Sequence, residues 1–567
     1  MKKIDRCSLG SENTGTKINR RRVLQAGVGA AAVAAVAPRI TFAQNATPAA
    51  SPAVVASPVG TPDASGYYPS GTPGVNDAYT KMPAPFASTD GAPGSGEKVT
   101  AMVMIYGAPP PPKESNQYWQ GLEERLGVSW EPILVPNASY GEKATAIIAS
   151  GDMPDMFYLN YNQTLSPLAK FVQQGAFLDM TPYVTGDAIQ EYPNLAKFPD
   201  FMWEATKLDG KIYGVPCPGG RSGQVPAFRT DWSTKILGGK PTNSTELHDV
   251  LVGMSKSDPD GNASEDTWGL GQYSGDWDNS LIYPMFRVPN SWRVNDDGSF
   301  TFNIETDEYR QAVEFIVALN KDGAYHPDSA AMQYEQALQL FKSGRTGLHA
   351  DGSPIYGKDG FLESIHQYQP DATLERLIPF GHDGGEGVTY NLPGIFGFTA
   401  IPATVTDEER IKELLRIFNW LSAPFGSEEW LYKNYGTEGV HFDYNQNGFP
   451  IANDLYQKEN GGLTSYIGGS LSVNVNAEQP ELGPIATDEG NAIYKIGIDD
   501  PSANLFSPAA IDKNSTLGQI IKDGLASIVT GRDDISKLEG VISDWKSRGG
   551  DDIRKEYEEA YAKNQQG

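Results

Sequence analysis

Val99-Thr-Ala-Met-Val-Met-Ile-Tyr106 is a run apolar enough for a strand buried on both faces, and together with the next four elements it decides the fold. Asn116 to Leu126 carries apolar residues at helical spacing, and Val128 to Val135 reads as a second strand. Tyr140 to Ala149 reads as a second helix, and Asp155-Met-Phe-Tyr-Leu159 as a third strand. Strands alternating with short helices imply βαβ units, hence an α/β fold with a parallel sheet. In such sheets ligands bind in the crevice at the carboxyl ends of the strands. The loops expected to face a ligand are therefore Gly107 to Glu114, Pro136 to Ser139 and Asn160 to Gln163.

Upstream of this unit the composition changes twice. Arg20-Arg21-Arg22-Val23-Leu24 precedes an Ala-rich apolar run from Ala26 to Ala37, and Thr41-Phe42-Ala43 offers small residues for a peptidase. Residues 1–43 thus resemble a twin-arginine export signal, cleaved or retained as an anchor. The apolar part is short of the roughly 20 residues needed to span a bilayer. Residues 44–97 are rich in Pro, Ala, Ser, Thr and Gly and are expected to form a disordered tether. Cys7 precedes the arginines, so Cys217 is left alone in the exported part, which excludes an internal disulfide.

With 45 Lys and Arg against 71 Asp and Glu, no basic stripe is expected, and nucleic acid is not expected as a partner. The six His residues (His248, His326, His349, His366, His382, His441) fall in polar loops and helix ends. No His-Glu-x-x-His or Gly-x-Ser-x-Gly stands in the chain. An enzyme such as a glycoside hydrolase or polysaccharide lyase is the competing class, since a carboxylate pair leaves no trace in sequence. An envelope adhesin or scaffold is the third, but adhesive arrays show repeats and this chain has none.

Asp258-Pro-Asp-Gly-Asn-Ala-Ser-Glu-Asp266 sets Asp258, Asp260, Asn262, Ser264 and Asp266 at every second position of one loop. Alternating carboxylates and amides around a flexible glycine suit calcium, a hard cation that takes oxygen ligands. The spacing matches the first part of an EF-hand loop, yet the twelfth position, where a bidentate Glu closes the shell, is Gly269. The alternative is a polar turn, which selects the same residue types. Asn295-Asp-Asp-Gly298 and Asp443-Tyr-Asn-Gln-Asn-Gly448 also carry acidic or amide side chains, but both read as hairpin turns.

Landmarks in a fixed order carry a family resemblance. They begin with Ala149-Ser-Gly-Asp-Met-Pro-Asp155, Gly175-Ala-Phe-Leu-Asp-Met-Thr-Pro-Tyr183 and Asp209-Gly-Lys-Ile-Tyr-Gly-Val-Pro216. They continue through Phe228-Arg-Thr-Asp-Trp232, Pro241-Thr242 with Glu246-Leu247, and Lys342-Ser-Gly-Arg-Thr-Gly347. Asn419-Trp-Leu421, Tyr435-Gly-Thr-Glu-Gly-Val-His441 and Trp545-Lys-Ser-Arg-Gly-Gly550 with Glu556-Tyr557 complete them. The set resembles extracellular solute-binding proteins of the sugar class, in particular the large oligosaccharide-binding lipoproteins and alginate-binding proteins. The resemblance implies a two-lobed periplasmic-binding-protein fold of type II with a hinge, and a monomer that hands a saccharide to the permease subunits of an ABC importer. It also implies calcium at the Asp258–Asp266 loop, although the lipoprotein Cys is missing and Thr267 stands where an acidic neighbour is usual. Lobe 1 would comprise residues 98–225 and 394–435, and lobe 2 residues 226–393 and 436–567 with the C-terminal helices.

The aromatic supply (10 Trp, 27 Tyr, 22 Phe) is ample for a saccharide cleft, where sugar C–H faces stack on rings and hydroxyls meet planar polar groups. Tyr273-Ser-Gly-Asp-Trp-Asp-Asn279 combines both, so Tyr273, Asp276, Trp277 and Asp278 are the expected ligand residues, with Trp203, Arg221 and Tyr356 behind them. Trp277 in a core is the competing reading, because aromatic burial is the default. Trp420 and Trp545 stand at helical spacing among apolar neighbours and are expected to be core.

Overall fold

The computed structural model describes residues 60–564 except 161–170, 173, 209, 273–276, 279, 352–354, 356–359 and 504. The quoted run forms the strand Lys98–Ile105, parallel to Ser129–Pro136 in register from Lys98↔Ser129 to Ile105↔Pro136, and parallel to Met156–Asn160 on its other side. The helices Gln117–Leu126 and Tyr140–Ser150 make the crossovers. The first starts where the Asn116 side chain accepts from the Trp119 N–H at 2.8 Å and stops at Gly127, whose φ of 66° the turn requires. Ile395–Ala400 returns antiparallel between Met156–Asn160 and Val215–Pro218, completing a five-stranded sheet. Val103, Trp130, Phe157, Phe398 and Phe418 are buried around it.

A four-stranded sheet builds the second lobe, in the order Trp268–Leu270, Thr346–His349, Ala227–Arg229, Leu374–Arg376. The first pair is parallel and the others antiparallel. Its core contains Phe228, Trp232, Leu251, Trp292 and Ile316, and the C-terminal helices pack onto it. Trp545 stacks on Phe302 at 4.5 Å, whereas Trp420 is buried in the first core. The chain crosses between the sheets after Pro218 and again after Arg376, so the molecule is an α/β fold of two lobes joined by crossing segments. The two acidic turns close antiparallel hairpins, with Gly298 at φ 83° and Gly448 at φ 76°.

Two sequence expectations are corrected. Residues 60–97, taken as tether, are a strap folded onto the protein. Asp77–Tyr79 pairs with Tyr67–Tyr68 and with Val473–Asn474, and Val75 and Ala78 are buried. Further along the strap, the buried Glu429 carboxylate accepts from the backbone and hydroxyls of Ser88 and Thr89 at 2.8–3.1 Å. Glu413 accepts from the Ser95 N–H and hydroxyl at 2.7 Å. Composition misled because the strap is ordered by a few aromatics and by carboxylates more than 300 residues away, not by a core of its own. The second correction concerns residues after 435, which were given to lobe 2. Tyr456, Leu463 and Ile467 belong to the first core, Tyr456 meeting Tyr118 edge-on at 5.5 Å. Next comes the helix Leu482–Lys495, which contacts the strap and reaches the second sheet through Glu489 and Arg376 at 3.4 Å. This is the hinge helix.

Candidate functional site

A cavity of about 550 Å³ lies between the two sheets. Its first-lobe wall is Tyr106, directly after Lys98–Ile105, Asn160, which ends its strand, and Phe396. Its second-lobe wall includes Asp351, two residues past Thr346–His349, and Arg376. This is the crevice that a parallel sheet offers at its carboxyl ends. Beside it a second cavity of about 660 Å³ shares Tyr106, Phe396 and Tyr466 and runs along Gly107, Ala108 and Pro109. Of the three loops expected to face ligand, the first and the start of the third do so; Ala138 lies at a separate surface, and residues 161–163 fall outside the described residues.

Aromatic rings dominate the shared wall. Tyr106 is 70% exposed and Phe396 55%, and with Tyr466 they gather on one cavity wall rather than standing singly. Tyr466 lies between them, 6.3 Å from each, and stacks on Tyr158 at 5.0 Å. Its φ of 65° is a strained conformation for a bulky residue, and such strain concentrates at ligand sites. The Thr399 hydroxyl holds it by donating to the Tyr466 carbonyl at 2.9 Å. Tyr158 donates to the Phe396 carbonyl at 3.1 Å.

Planar polar groups line the same cavity. The Tyr334 hydroxyl donates to Asp351 Oδ2 at 2.6 Å, which orients that carboxylate. Arg376 Nε stands 3.4 Å from Glu489 Oε2, a single long contact that leaves most of the guanidinium fork uncommitted to this partner. Burial raises the Glu489 pKa above the usual carboxylate value, against the lowering pull of Arg376. At the rim of the second cavity, Lys433 donates to the Leu421 carbonyl at 2.6 Å, and burial lowers its pKa to about 8.

The residues first expected to bind ligand stand elsewhere. Trp277 is 2% exposed in the second core, edge-on to Tyr325 at 5.1 Å, and the Tyr325 hydroxyl donates to its carbonyl at 2.7 Å. Asp278 is buried and accepts from the Tyr283 N–H at the start of Ile282–Met285, so it serves the chain turn. Trp203 is buried in the first core against Phe198. Arg221 pairs with Asp499 at 2.9 Å, packs over Phe201, and donates its backbone N–H to Gly74 of the strap at 3.0 Å. These four are corrected from ligand contacts to packing and bracing groups: the two Trp rings and the Arg221 stem cover apolar surface where the fold brings it, and the Asp278 carboxylate is taken up by backbone. Tyr273, Asp276 and Tyr356 fall outside the described residues. Sequence reasoning did not single out Tyr106, the cavity residue directly after Lys98–Ile105; its place at the carboxyl end of that strand was the available signal.

In the Asp258–Asp266 loop, Asp258 accepts from the Asn262 and Ala263 N–H groups at 3.1 and 3.0 Å. The Asn262 amide bridges Asp260 Oδ2 and Asp266 Oδ1 at 2.9 and 3.1 Å. Arg345 donates to the Asp266 carbonyl at 3.0 Å, tying the loop to the second sheet. Asp260 has a raised pKa, through burial first and then the adjoining Asp258 and Asp266. Among the described residues no three His, Cys, Asp or Glu side chains converge on one point.

Residues 107–424, which run from the cavity loop after Tyr106 across both sheets, match the family described as bacterial extracellular solute-binding protein. The chain belongs to that family. This solute-binding protein is 26% identical over 486 residues to the polygalacturonan/rhamnogalacturonan-binding protein YtcQ of Bacillus subtilis, with 83% of this chain and 92% of that one covered. It is 24% identical over 413 residues to the fructooligosaccharide ABC transporter substrate-binding protein FusA of Streptococcus pneumoniae, covering 69% and 72%. Its fold is similar to that of a solute-binding protein from Bifidobacterium longum infantis described as binding HMO, at a TM-score of 0.63 and 16% identity. It is likewise similar to the alginate-binding protein AlgQ2 solved without calcium, at 0.61 and 16%. These two are covered to 99 and 100%, while 82 and 84% of this chain is covered, so part of this chain has no counterpart in them. The type II two-lobed fold is thereby shown.

Proposed function

We propose that this solute-binding protein is exported, takes an oligosaccharide into the trough between its lobes, and presents it uncut to the permease subunits of an ABC importer. The carrying observation is the exposed ring wall of Tyr106, Tyr466 and Phe396 opposite Asp351 and Arg376, the pairing of apolar faces with planar polar groups that sugar rings require. Two adjoining cavities sharing that wall suit a ligand of several rings. The ligands named for the polygalacturonan/rhamnogalacturonan- and fructooligosaccharide-binding relatives support the class. A ligand that binds only the folded state raises its melting temperature by mass action. A thermal-shift panel of oligogalacturonides, rhamnogalacturonan oligosaccharides and fructooligosaccharides is expected to yield at least one glycan that stabilises the protein and is recovered intact by chromatography. No shift across the panel refutes the saccharide reading; cleavage of the glycan refutes the transport reading.

Two further readings belong to the same proposal. Arg20-Arg21-Arg22 directs export by the twin-arginine route, and replacing all three by Lys is expected to leave the protein inside the cell. Calcium occupies the Asp258–Asp266 loop in a structural role, with Asp258, Asp260, Asn262, Ser264 and Asp266 as oxygen donors. A cation held there would supply positive charge beside Asp260, whose carboxyl burial and then the adjoining Asp258 and Asp266 hold above the usual range.

A further inference from the structure

The strap lies along the mouth of the ligand cavity, and the sequence makes room for it there. Gly483 and Gly490 stand seven residues apart on the hinge helix and so share one face. A Cβ at Gly483 would come 2.7 Å from the Asn474 carbonyl oxygen, and one at Gly490 would come 3.0 Å from Val75 Cγ1. The first contact is with backbone and closer than a Cβ can come, and the second is tighter than ordinary packing, so the bare helix face eases the approach of the Val473–Asn474 strand and of Val75. The strap is then fastened. The Asn76 carbonyl accepts from the Thr487 hydroxyl at 2.9 Å and from the Asn474 amide at 3.3 Å. The Asn491 amide donates to the Ser70 carbonyl at 2.9 Å, and the Tyr68 hydroxyl to Asp488 at 2.8 Å. Gly74, at φ 91°, turns the chain where a Cβ would strike the Arg221 side chain at 2.7 Å.

Fastened this way, Gly74, Val75 and Asn76 line the 550 Å³ cavity together with Asn160, Asp351 and Arg376. Val75 is buried against the helix, whereas Asn76 is half-buried, and its side-chain amide forms no hydrogen bond among the described residues. An amide with both donors and an acceptor uncommitted, at the wall of a cavity, has the chemistry that reads a vicinal diol. The family match begins at Gly107, after the strap.

We infer that the N-terminal strap is a wall of the ligand site, and that the Asn76 side-chain amide hydrogen-bonds the hydroxyls of the saccharide bound there. The inference rests on the saccharide reading above. The strap thereby narrows which sugars and which lengths are accepted, and through Asn491, Thr487 and Glu489 it shares the hinge helix with Arg376.

The test uses the full-length protein with Asn76→Ala, Asn76→Trp and, as a control on the strap's remote anchor, Ser88→Ala. Each is titrated calorimetrically with oligogalacturonides of two to six rings and with fructooligosaccharides. Losing one or two hydrogen bonds is expected to weaken binding about three- to thirtyfold in Asn76→Ala. Asn76→Trp is expected to weaken long glycans more than short ones, and Ser88→Ala to bind as wild type. Wild-type affinity in both Asn76 variants overturns the inference while leaving the saccharide reading intact. If wild type binds none of these probes, the saccharide reading fails, and hydrogen exchange of the ligand-free protein decides the wall. Residues 66–80 exchanging as slowly as the hinge helix support a built wall; exchange at the rate of a free chain overturns it.

Discussion

Tyr106→Ala is the sharpest test of where the ligand sits. The ring is 70% exposed and touches the folded protein mainly at Tyr466, 6.3 Å away, so its removal leaves no cavity and the melting temperature is expected to hold. An aromatic side chain buries roughly 150–250 Å² when fully covered. With 70% of Tyr106 free and a sugar covering one face of it, about 70 Å² is removed from water on binding. At about 25 cal/mol per Å² that is about 1.7 kcal/mol, or roughly a 20-fold rise in Kd. Phe396→Ala is expected to cost slightly less, because its ring is 55% exposed. Calorimetric titration with the best glycan of the panel reads both. Trp277→Ala is the contrast: it empties a site in the second core, so it should lower the melting temperature strongly and affect Kd only in proportion to unfolding. Unchanged affinity in Tyr106→Ala and Phe396→Ala, alongside weakened binding by a still-folded Trp277→Ala, would move the site to the second lobe and refute the reasoning.

Individual groups carry further expected outcomes. Chelator is expected to lower the melting temperature of metal-loaded protein, and Asp260→Ala to remove that response; identical melts with and without chelator would exclude a bound cation. His349 is buried, and burial lowers its pKa from 6.5 to about 4 against the opposing pull of Asp351. Above pH 6.5 both folded and unfolded states are neutral there; as pH falls through 6.5 the unfolded state takes up the proton first, so stability is lost down to about pH 4. The full loss amounts to about 3 kcal/mol, and His349→Phe is expected to flatten that limb of a urea-unfolding profile. Glu429→Ala removes the acceptor for the backbone and hydroxyl donors of Ser88 and Thr89, which should cost about 2–4 kcal/mol in urea unfolding and free the strap to proteolysis. Glu429→Gln, which keeps one oxygen acceptor, should recover part of that loss.

The alternation of apolar strands with helically spaced runs determined three of the five strands of the first lobe's sheet to within a residue or two at each end, from Lys98–Ile105 to Met156–Asn160, but not the antiparallel return of Ile395–Ala400. It could do so because the period of the apolar pattern is a local property that burial on both faces makes strict. The ordered landmarks determined the family in the same way. The strap was illegible, since Ser88, Thr89 and Ser95 look like linker until Glu429 and Glu413 stand beside them. The ligand wall was half legible: the carboxyl ends of the strands pointed to the right edge of the sheet, but not to which rings stay bare. Tyr106 ends an apolar run, the local mark of burial, while Trp277 stands between two aspartates in a polar loop, the local mark of exposure, and the fold reverses both. One meets Tyr325 and a closed core while the other faces the second lobe across open space. Exposure is a property of everything the chain brings alongside a residue, so tertiary structure alone decided which aromatic was free to bind.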